Sequence, residues 1–443
     1  MIEICAIGGY NEVGKNMTAI KVNNEVVILD MGLYLDKYIN YRGEEDISKL
    51  SAAELMKVGA IPDDTIIKDW KDKVKAIIPT HAHLDHVGAV PFMANKYDVP
   101  IIGTPYTTEV IKTIIKEEKI SIRNPIKTLN PNSRYALSNN IEVEFINATH
   151  STPQTVMVAL HTKEGTILYA NDYKFDSFPV IGKKTNVKRL RELGKQNVKA
   201  LIVDGTRARN ESKTPSETVA KELLRDVLLG TENQDNLIIA TTFSSHIARL
   251  KSIIELGKKL DRKIIFLGRT LSKYTKAAEN IKLVKFSNDI EILKYGNEIK
   301  KKLKKIDAAK RNEYILVVTG HQGEPGSVLS KISTGALPLK LQHEDQIIFS
   351  CNVIPTPMNI ANRGMLEYNL KQYDVRIFKD IHVSGHASKE DHRDLINIVK
   401  PENIIPAHGD LKMTSALSEL ASEMGYSLSK SVHVLQNGQK LLL

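Results

Sequence analysis

The residues best suited to chemistry are gathered in one heptad, Thr80-His81-Ala82-His83-Leu84-Asp85-His86. Val74-Lys75-Ala76-Ile77-Ile78-Pro79 before it reads as a buried strand, and Val87-Gly88-Ala89-Val90-Pro91-Phe92-Met93 after it as the start of a helix. The polar residues therefore fall on a strand-to-helix loop, where an α/β sheet presents its chemistry. His81 and His83 are two apart, so in an extended segment both imidazoles point the same way and can hold one cation. Asp85 and His86 follow where the chain turns and can reach a second cation. Two histidines often meet by accident, but His-x-His-x-Asp-His on such a loop rarely arises that way. The pattern predicts a metal site rather than a solvated polar loop.

Further His and Asp residues stand where predicted strands end. Ile141 to Ile146 alternates and runs into Asn147-Ala148-Thr149-His150, and Thr166 to Ala170 leads to Asn171-Asp172. Leu201-Ile202-Val203 ends at Asp204, and Asn403 to Pro406 ends at Ala407-His408-Gly409. Val26 to Leu29, the second arm of a hairpin turned at Asn23-Asn24, closes on Asp30-Met31-Gly32. Locally, Asp30 reads equally as a carboxylate aimed into a site and as a turn-forming residue. Taken singly, His150 or His408 would be an ordinary packed or surface histidine. Their case rests on occurring with the heptad, each after an apolar strand. His161, His246, His343, His392 and His433 lack that context and read as structural or surface groups.

A chain of 443 residues suggests two or three domains, and 42% hydrophobic with 26% charged residues is an ordinary soluble globular composition. The net charge of +10 favours an anionic partner. Only Cys5 and Cys351 are present, which argues against a disulfide framework and for a reducing, cytoplasmic setting. Any metal must then be held by imidazoles and carboxylates. The N-terminus lacks the features of a signal peptide, and no apolar run is long enough to predict a membrane span.

After Asp204 the rhythm changes to strand–helix alternation, with helices at Pro215 to Leu229, His246 to Leu260 and Leu271 to Ala278, and strands at Leu237 to Thr241, Lys263 to Leu267 and Tyr314 to Thr319. This reads as a doubly wound α/β domain inserted into the first. The expected domains are 1–206, 207–365 (inserted) and 366–443. Residues 36–73 look polar and irregular, a surface excursion with one short helix at Ser51 to Lys57. The run from Lys300 to Lys305 lines a nucleic-acid path or is a solvated basic helix face.

The heptad resembles the signature of the metallo-β-lactamase superfamily, and His150, Asp172 and His408 follow in that family's order. Over half of the chain separates Asp172 from His408, too long for a plain lactamase arrangement, and the gap holds the inserted domain. That arrangement resembles the β-CASP nucleases, whose three extra motifs match as Asp204, His386 and His408. Gly8-Gly9-Tyr10-Asn11-Glu12-Val13-Gly14-Lys15-Asn16-Met17, Val318-Thr319-Gly320-His321-Gln322-Gly323-Glu324-Pro325 and His382-Val383-Ser384-Gly385-His386-Ala387 all resemble ribonuclease J. The chain ends about 35 residues after His408, which is similar to the short, archaeal form rather than to the bacterial enzymes with an extra C-terminal domain.

The resemblance implies an αββα sandwich of the metallo-β-lactamase kind with an inserted β-CASP α/β domain. It implies two cations, one held by His81, His83 and His150, the other by Asp85, His86 and His408, with Asp172 bridging. Imidazole and carboxylate without thiolate suit zinc, with manganese as a substitute. The residues assigned to chemistry are Asp85, His386, Asp204 and Asp30, the last two by orienting imidazoles rather than as ligands. His382, Val383, Ser384, Gly385, His386, Ala387 and Ser388 are assigned to substrate, the small residues leaving N–H groups for phosphate ahead of a helix. Gly320, Gln322 and Gly323 form another phosphate-binding turn or a plain glycine turn opening a helix at Pro325. The implied activity is 5′→3′ exonucleolytic degradation of single-stranded RNA, favouring 5′-monophosphate ends, by a cytoplasmic homodimer in RNA turnover with RNA-decay partners unspecified. An endoribonuclease similar to mRNA 3′-end cleavage factors is the alternative. A metal-free RNA-binding scaffold would require lost ligands, and a small-molecule hydrolase is disfavoured by the inserted domain.

Overall fold

The apolar runs that open the chain pair as a meander. Ile2–Gly8 lies antiparallel to Met17–Val22, which turns through Asn23 in the left-handed region (φ 54°) into Glu25–Leu29. Val74–Ile78, Ile101–Gly103 and Ile126–Thr128 then add in parallel, and Lys440–Leu442 closes the opposite edge of this seven-stranded sheet. A second sheet of six strands runs Asn403–Ala407, Val198–Asp204, Gly165–Ala170, Val156–Thr162, Glu142–Asn147 and Arg134–Ala136. Alternate residues of the two inner faces form one core: Ile4, Val27 and Ile78 belong to the same buried cluster as Phe145, Val158, Tyr169, Ile202 and Ile405. Each such side chain contributes roughly 1.5–3 kcal/mol on burial. On the second sheet's other face, Ile146, Leu168, Leu201 and Ile404 are covered by Leu190, Leu395 and Leu417 from the helices Val187–Leu193, Lys389–Val399 and Leu411–Glu423. This is the αββα sandwich.

These statements rest on a computed structural model that describes residues 1–44, 51–307 and 311–443. The chain forms two units: Met1–Ser177, Gly182–Thr214 and Ser384–Leu443 in the first, Phe178–Ile181 and Pro215–Val383 in the second. The second unit carries a six-stranded, wholly parallel sheet in the order Ile290–Leu293, Lys263–Leu267, Tyr314–Val318, Ile238–Thr241, Gln346–Phe349, Arg376–Phe378. Its strands are near-continuous apolar runs, as a sheet covered on both faces requires. Because Arg376–Phe378 pairs with Gln346–Phe349, this unit runs past residue 365 to Val383.

Two local expectations are corrected. The stretch 36–73 is not an irregular excursion in its described part: Leu35–Glu44 and Ala52–Lys57 are helical, and Asp64–Lys73 forms 3-10 turns that bury Trp70. Ser51 and Glu54 close a capping box on the second helix; residues 45–50 lie outside the described residues. Gly320, Gly323 and Gly326 all take positive φ, so the helix expected at Pro325 starts only at Val328, capped by Ser327. In the helix Gly296–Asp307, Ile299, Leu303 and Ile306 are buried while Lys300, Lys301, Lys304 and Lys305 are exposed, the pattern of a solvated basic face. Among the described residues, no helix is long and apolar enough to cross a membrane.

Candidate metal centre

The site residues of the first unit stand at or just beyond the C-terminal ends of strands. Asp30, Asp172 and His408 each turn off a strand through the left-handed region, at φ 59°, 57° and 52°. That conformation is uncommon outside glycine, and Asp and His are among the residues that adopt it most readily. It re-aims each side chain from the sheet axis into a common space. Close approach of the heptad loop needs Gly32, where a Cβ would lie 1.6 Å from the Asp85 carbonyl oxygen.

Around Asp172 the donor atoms fall into two sets. His81 Nε2 and His150 Nε2 each lie 3.1 Å from His83 Nδ1 and 3.3 and 3.4 Å from Asp172 Oδ2. On the other side, His86 Nε2 lies 3.4 Å from Asp172 Oδ2, and His408 Nε2 lies 3.4 Å from Asp172 Oδ1. Asp85 Oδ2 faces the same two imidazoles at 3.6 and 3.7 Å. All seven expected side chains therefore meet: His81, His83, His150 and Asp172 can hold a metal ion, as can Asp85, His86 and His408, and a further grouping joins Asp172 and His408 to Asp204 and His386. Zinc bonded at about 2.0–2.1 Å in a tetrahedron has ligand–ligand edges of ~3.3 Å. Asp172 Oδ1, buried and without a hydrogen-bond partner, is the orphaned acceptor such a cation would satisfy.

The far side is contacted in four of the five rings. His86 Nδ1–H donates to Asp30 Oδ2 at 2.8 Å, and His150 Nδ1–H to the Gly385 carbonyl at 2.7 Å. His81 Nδ1–H donates to the Thr80 hydroxyl oxygen at 3.0 Å, and that hydroxyl donates in turn to Asp30 Oδ1 at 2.9 Å. Asn16 lies across His408 Nδ1, with Oδ1 at 3.0 Å and Nδ2 at 2.8 Å, and the Gly14 N–H reaches the same nitrogen at 3.4 Å. For His81, His86 and His150 the contact sets the tautomer whose Nε2 lone pair points inward. Asp30 is therefore both the turn residue and the carboxylate aimed into the site.

The electrostatics of His81, His83 and His150 agree with metal ligation, whereas His86 favours its proton until a cation displaces it. Burial holds His81, His83 and His150 below the usual imidazole range, in the neutral form that a metal requires. Burial also opposes charge on Asp172, but His408, His86 and His386 outweigh it and hold the carboxyl well below its usual range. For His86, burial is overcome by Asp172, Asp30 and Asp85, which raise it. The two thiols are not candidates: burial pushes Cys5 and Cys351 up to about 12.

Beside the seven donors, His386 Nδ1–H donates to Asp204 Oδ2 at 2.8 Å and lies 4.0 Å from Asp172 Oδ2. Burial lowers the His386 pKa, but Asp204 and Asp172 more than compensate, raising it to about 9. Asp204 Oδ1 is fixed by the Thr206 N–H and hydroxyl at 2.8 and 2.7 Å.

Several backbone N–H groups around His386 are already engaged within the first unit. The His386 N–H donates to Ser384 Oγ, the Ser388 N–H to Asp391, and those of Lys389 and Glu390 to the carbonyls of Asn210 and Ser212. Ala387 is fully buried. Gly385 serves packing, since a Cβ there would sit 2.2 Å from Ser151 Oγ and 2.9 Å from the His150 ring.

Within the second unit, the His382 ring lies 6.4 Å from Phe243, which is 4.3 Å from His321, while Val383 is buried. Gln322 braces the neighbouring loop, donating to the Asn352 carbonyl and accepting from the Ile354 N–H. In the glycine turn, the Gly323 N–H donates to the Gly320 carbonyl, and a Cβ on Gly323 would lie 2.3 Å from the Asn362 carbonyl oxygen. Asn16, Thr80 and His321 carry no role in the sequence reading, although all three lie in motifs it quotes.

Comparison with known proteins matches residues 11–190 to the metallo-β-lactamase superfamily, 235–365 to the ribonuclease J β-CASP domain, and 372–435 to the Zn-dependent metallo-hydrolase RNA specificity domain. The chain is 48% identical to ribonuclease J of Methanocaldococcus jannaschii over 441 residues, covering 99% of this chain and 98% of that one. It is 48% identical to ribonuclease J of Pyrococcus abyssi over 440 residues, covering 99% and 96%. Ribonuclease J 1 of Streptococcus pyogenes is 29% identical, covering all of this chain and 74% of its own length. A crystal structure of a protein of unknown function from Enterococcus faecalis V583 shares the fold, with a TM-score of 0.64 at 15% identity over 100% of both chains.

Proposed function

The chain belongs to the ribonuclease J family of the metallo-β-lactamase superfamily, and from that premise we propose that it degrades single-stranded RNA 5′→3′, releasing nucleotides from 5′-monophosphate ends. The observation that carries this reading is the pair of donor sets sharing Asp172, with the Asp204–His386 pair beside them. His81, His83 and His150 would hold one cation, Asp85, His86 and His408 the other, and Asp172 both. Zinc is favoured by the donor chemistry and spacing, with manganese as a substitute. When bound, such a pair supplies hydroxide near neutral pH and neutralises charge on a phosphoryl oxygen.

The chain's own residues do the remaining work. Asp30, Thr80, Gly385 and Asn16 hold four imidazoles with Nε2 inward, so no reorientation is needed during reaction. Asp85, at 28% the most exposed of these carboxylates, is placed to take a proton from the attacking water. Asp204 fixes the Nδ1–H of His386, leaving Nε2–H to protonate the departing 3′ oxygen. We assign RNA contact to Ser384–Ser388 in the first unit through the His386 imidazole, and to Gly320, Gln322, Gly323, His382 and Val383 in the second. A cytoplasmic setting agrees with two buried, high-pKa thiols, and a homodimer is the family's pattern, open to sedimentation analysis.

The test is metal-loaded enzyme with 5′-labelled RNA bearing a mono- or triphosphate, alongside a circular RNA. Labelled mononucleotide appearing first from the monophosphate, with the circle intact, supports the reading. Cuts in the circle would instead establish the endonuclease.

A further inference from the structure

A cavity of about 470 Å³ in the first unit is lined by Asn132, Phe175, Ser177, Lys183, Lys184 and Lys188. Its walls come from two stretches tied to ligand-bearing strand ends. Phe175 and Ser177 continue the segment that begins at Asp172. The lysine stretch is pinned beneath the approach to His150: Asn147 Nδ2 donates to the carbonyls of Lys183 and Lys184 at 3.1 and 2.8 Å, and the Thr149 N–H donates to Thr185 Oγ1 at 3.0 Å. The lysines thus project from a backbone already ordered, so placing their charge adds little entropic cost.

The charge in this cavity is positive. Asp176 is the one acid in the lining; it is buried and bridged to Lys174 at 3.4 Å. Lys183 and Lys188 are exposed and, among the described residues, have no ion-pair partner. The half-buried Phe175 is held edge-to-face against Tyr173 at 5.6 Å, and the Asn186 amide donates to Asn132 Oδ1 at 2.8 Å. An aromatic ring, side-chain amides and ammonium groups without carboxylate partners are the three elements by which single-stranded nucleic acid is held: stacking, polar contact and phosphate neutralisation.

We propose that this cavity is a nucleotide subsite for the RNA strand outside the catalytic centre, taking a base against Phe175 and a phosphate on Lys183 and Lys188. The inference rests on RNA being the substrate, but its test is binding rather than turnover. A fluorescein-labelled oligoadenylate is titrated by anisotropy into the full chain carrying Asp85→Asn to stop cleavage, at several salt concentrations. Adding Lys183→Ala and Lys188→Ala should flatten the plot of log Kd against log salt by about 1.4, since each single-strand phosphate contact contributes about 0.7. Phe175→Leu should weaken binding about tenfold with the slope unchanged, as loss of one stacked base does. Lys301→Ala with Lys304→Ala, on the basic helix of the second unit, is the control. An unchanged slope in the cavity variant, or an equal change in the control, would overturn the subsite. If the native chain binds RNA without cutting it, the ribonuclease reading fails and the subsite stands; if it cuts and the cavity lysines change nothing, the subsite alone fails.

Discussion

Asp30→Asn isolates the role of ring orientation, because it removes a charge while keeping the shape. In the native protein Asp30 accepts from the Thr80 N–H at 2.8 Å, the Thr80 hydroxyl at 2.9 Å and His86 Nδ1–H at 2.8 Å, and from the Tyr169 hydroxyl. An Asn can still accept from Thr80 through its oxygen, but it then turns its NH₂ toward His86. Donor would face donor, and relief requires His86 to move its proton to Nε2, the atom aimed at Asp172. The lost charge-assisted hydrogen bond is worth roughly 1.5–3 kcal/mol. At 1.4 kcal/mol per tenfold, metal affinity should fall about 10- to 100-fold, in line with other losses of imidazole partners. The loss should fall mainly on one of two binding steps, since Asp30 touches His86 directly and reaches His81 only through the Thr80 hydroxyl. Titrating zinc into the metal-free protein against a chromogenic chelator resolves the two steps. Two unchanged affinities, or an equal loss at both, would refute the orientation argument.

The same logic predicts that Asn16→Leu weakens the second cation, whereas Asn16→Asp, which can still accept from His408 Nδ1, retains it; equal affinities in the two variants would remove Asn16 from the site. Gly385→Ala, whose Cβ would collide with Ser151 and the His150 ring, should lower affinity at the His81–His83–His150 set at least tenfold, read by the same titration. His386→Gln should reduce kcat about 100-fold or more, with RNA affinity changed far less, if its proton transfer rather than its contact matters. Glu144, buried beside His161 and Arg189, is held down to about 2 despite its burial. Its ionised form therefore stabilises the fold above the unfolded carboxyl pKa near 4.5, a contribution lost as pH falls toward 2. Glu144→Gln should lower Tm at neutral pH and cease to matter near pH 2, as thermal melts across that range would show.

The heptad was readable because its residues are contiguous and their two-residue spacing acts within one loop. His150, Asp172 and His408 were readable through the strands before them, which end in the same way. Asn16 was not, because its partner His408 lies 392 positions away and nothing local marks an amide as the partner of an imidazole. Around His386 small residues suggest free N–H groups, yet those of His386 and Ser388 go to Ser384 and Asp391, and those of Lys389 and Glu390 just beyond go to Asn210 and Ser212. Trp70, buried in a polar stretch, meets Lys21 and Lys440 from distant strands, whose ammonium groups lie 5.1 and 4.4 Å from its ring.

Anomalous diffraction at the zinc edge from crystals of the zinc-loaded protein is the most direct test of the central claim. Two peaks are expected, one among His81, His83 and His150 and one among Asp85, His86 and His408, with Asp172 touching both. A single peak, or metal bound away from Asp172, would contradict it.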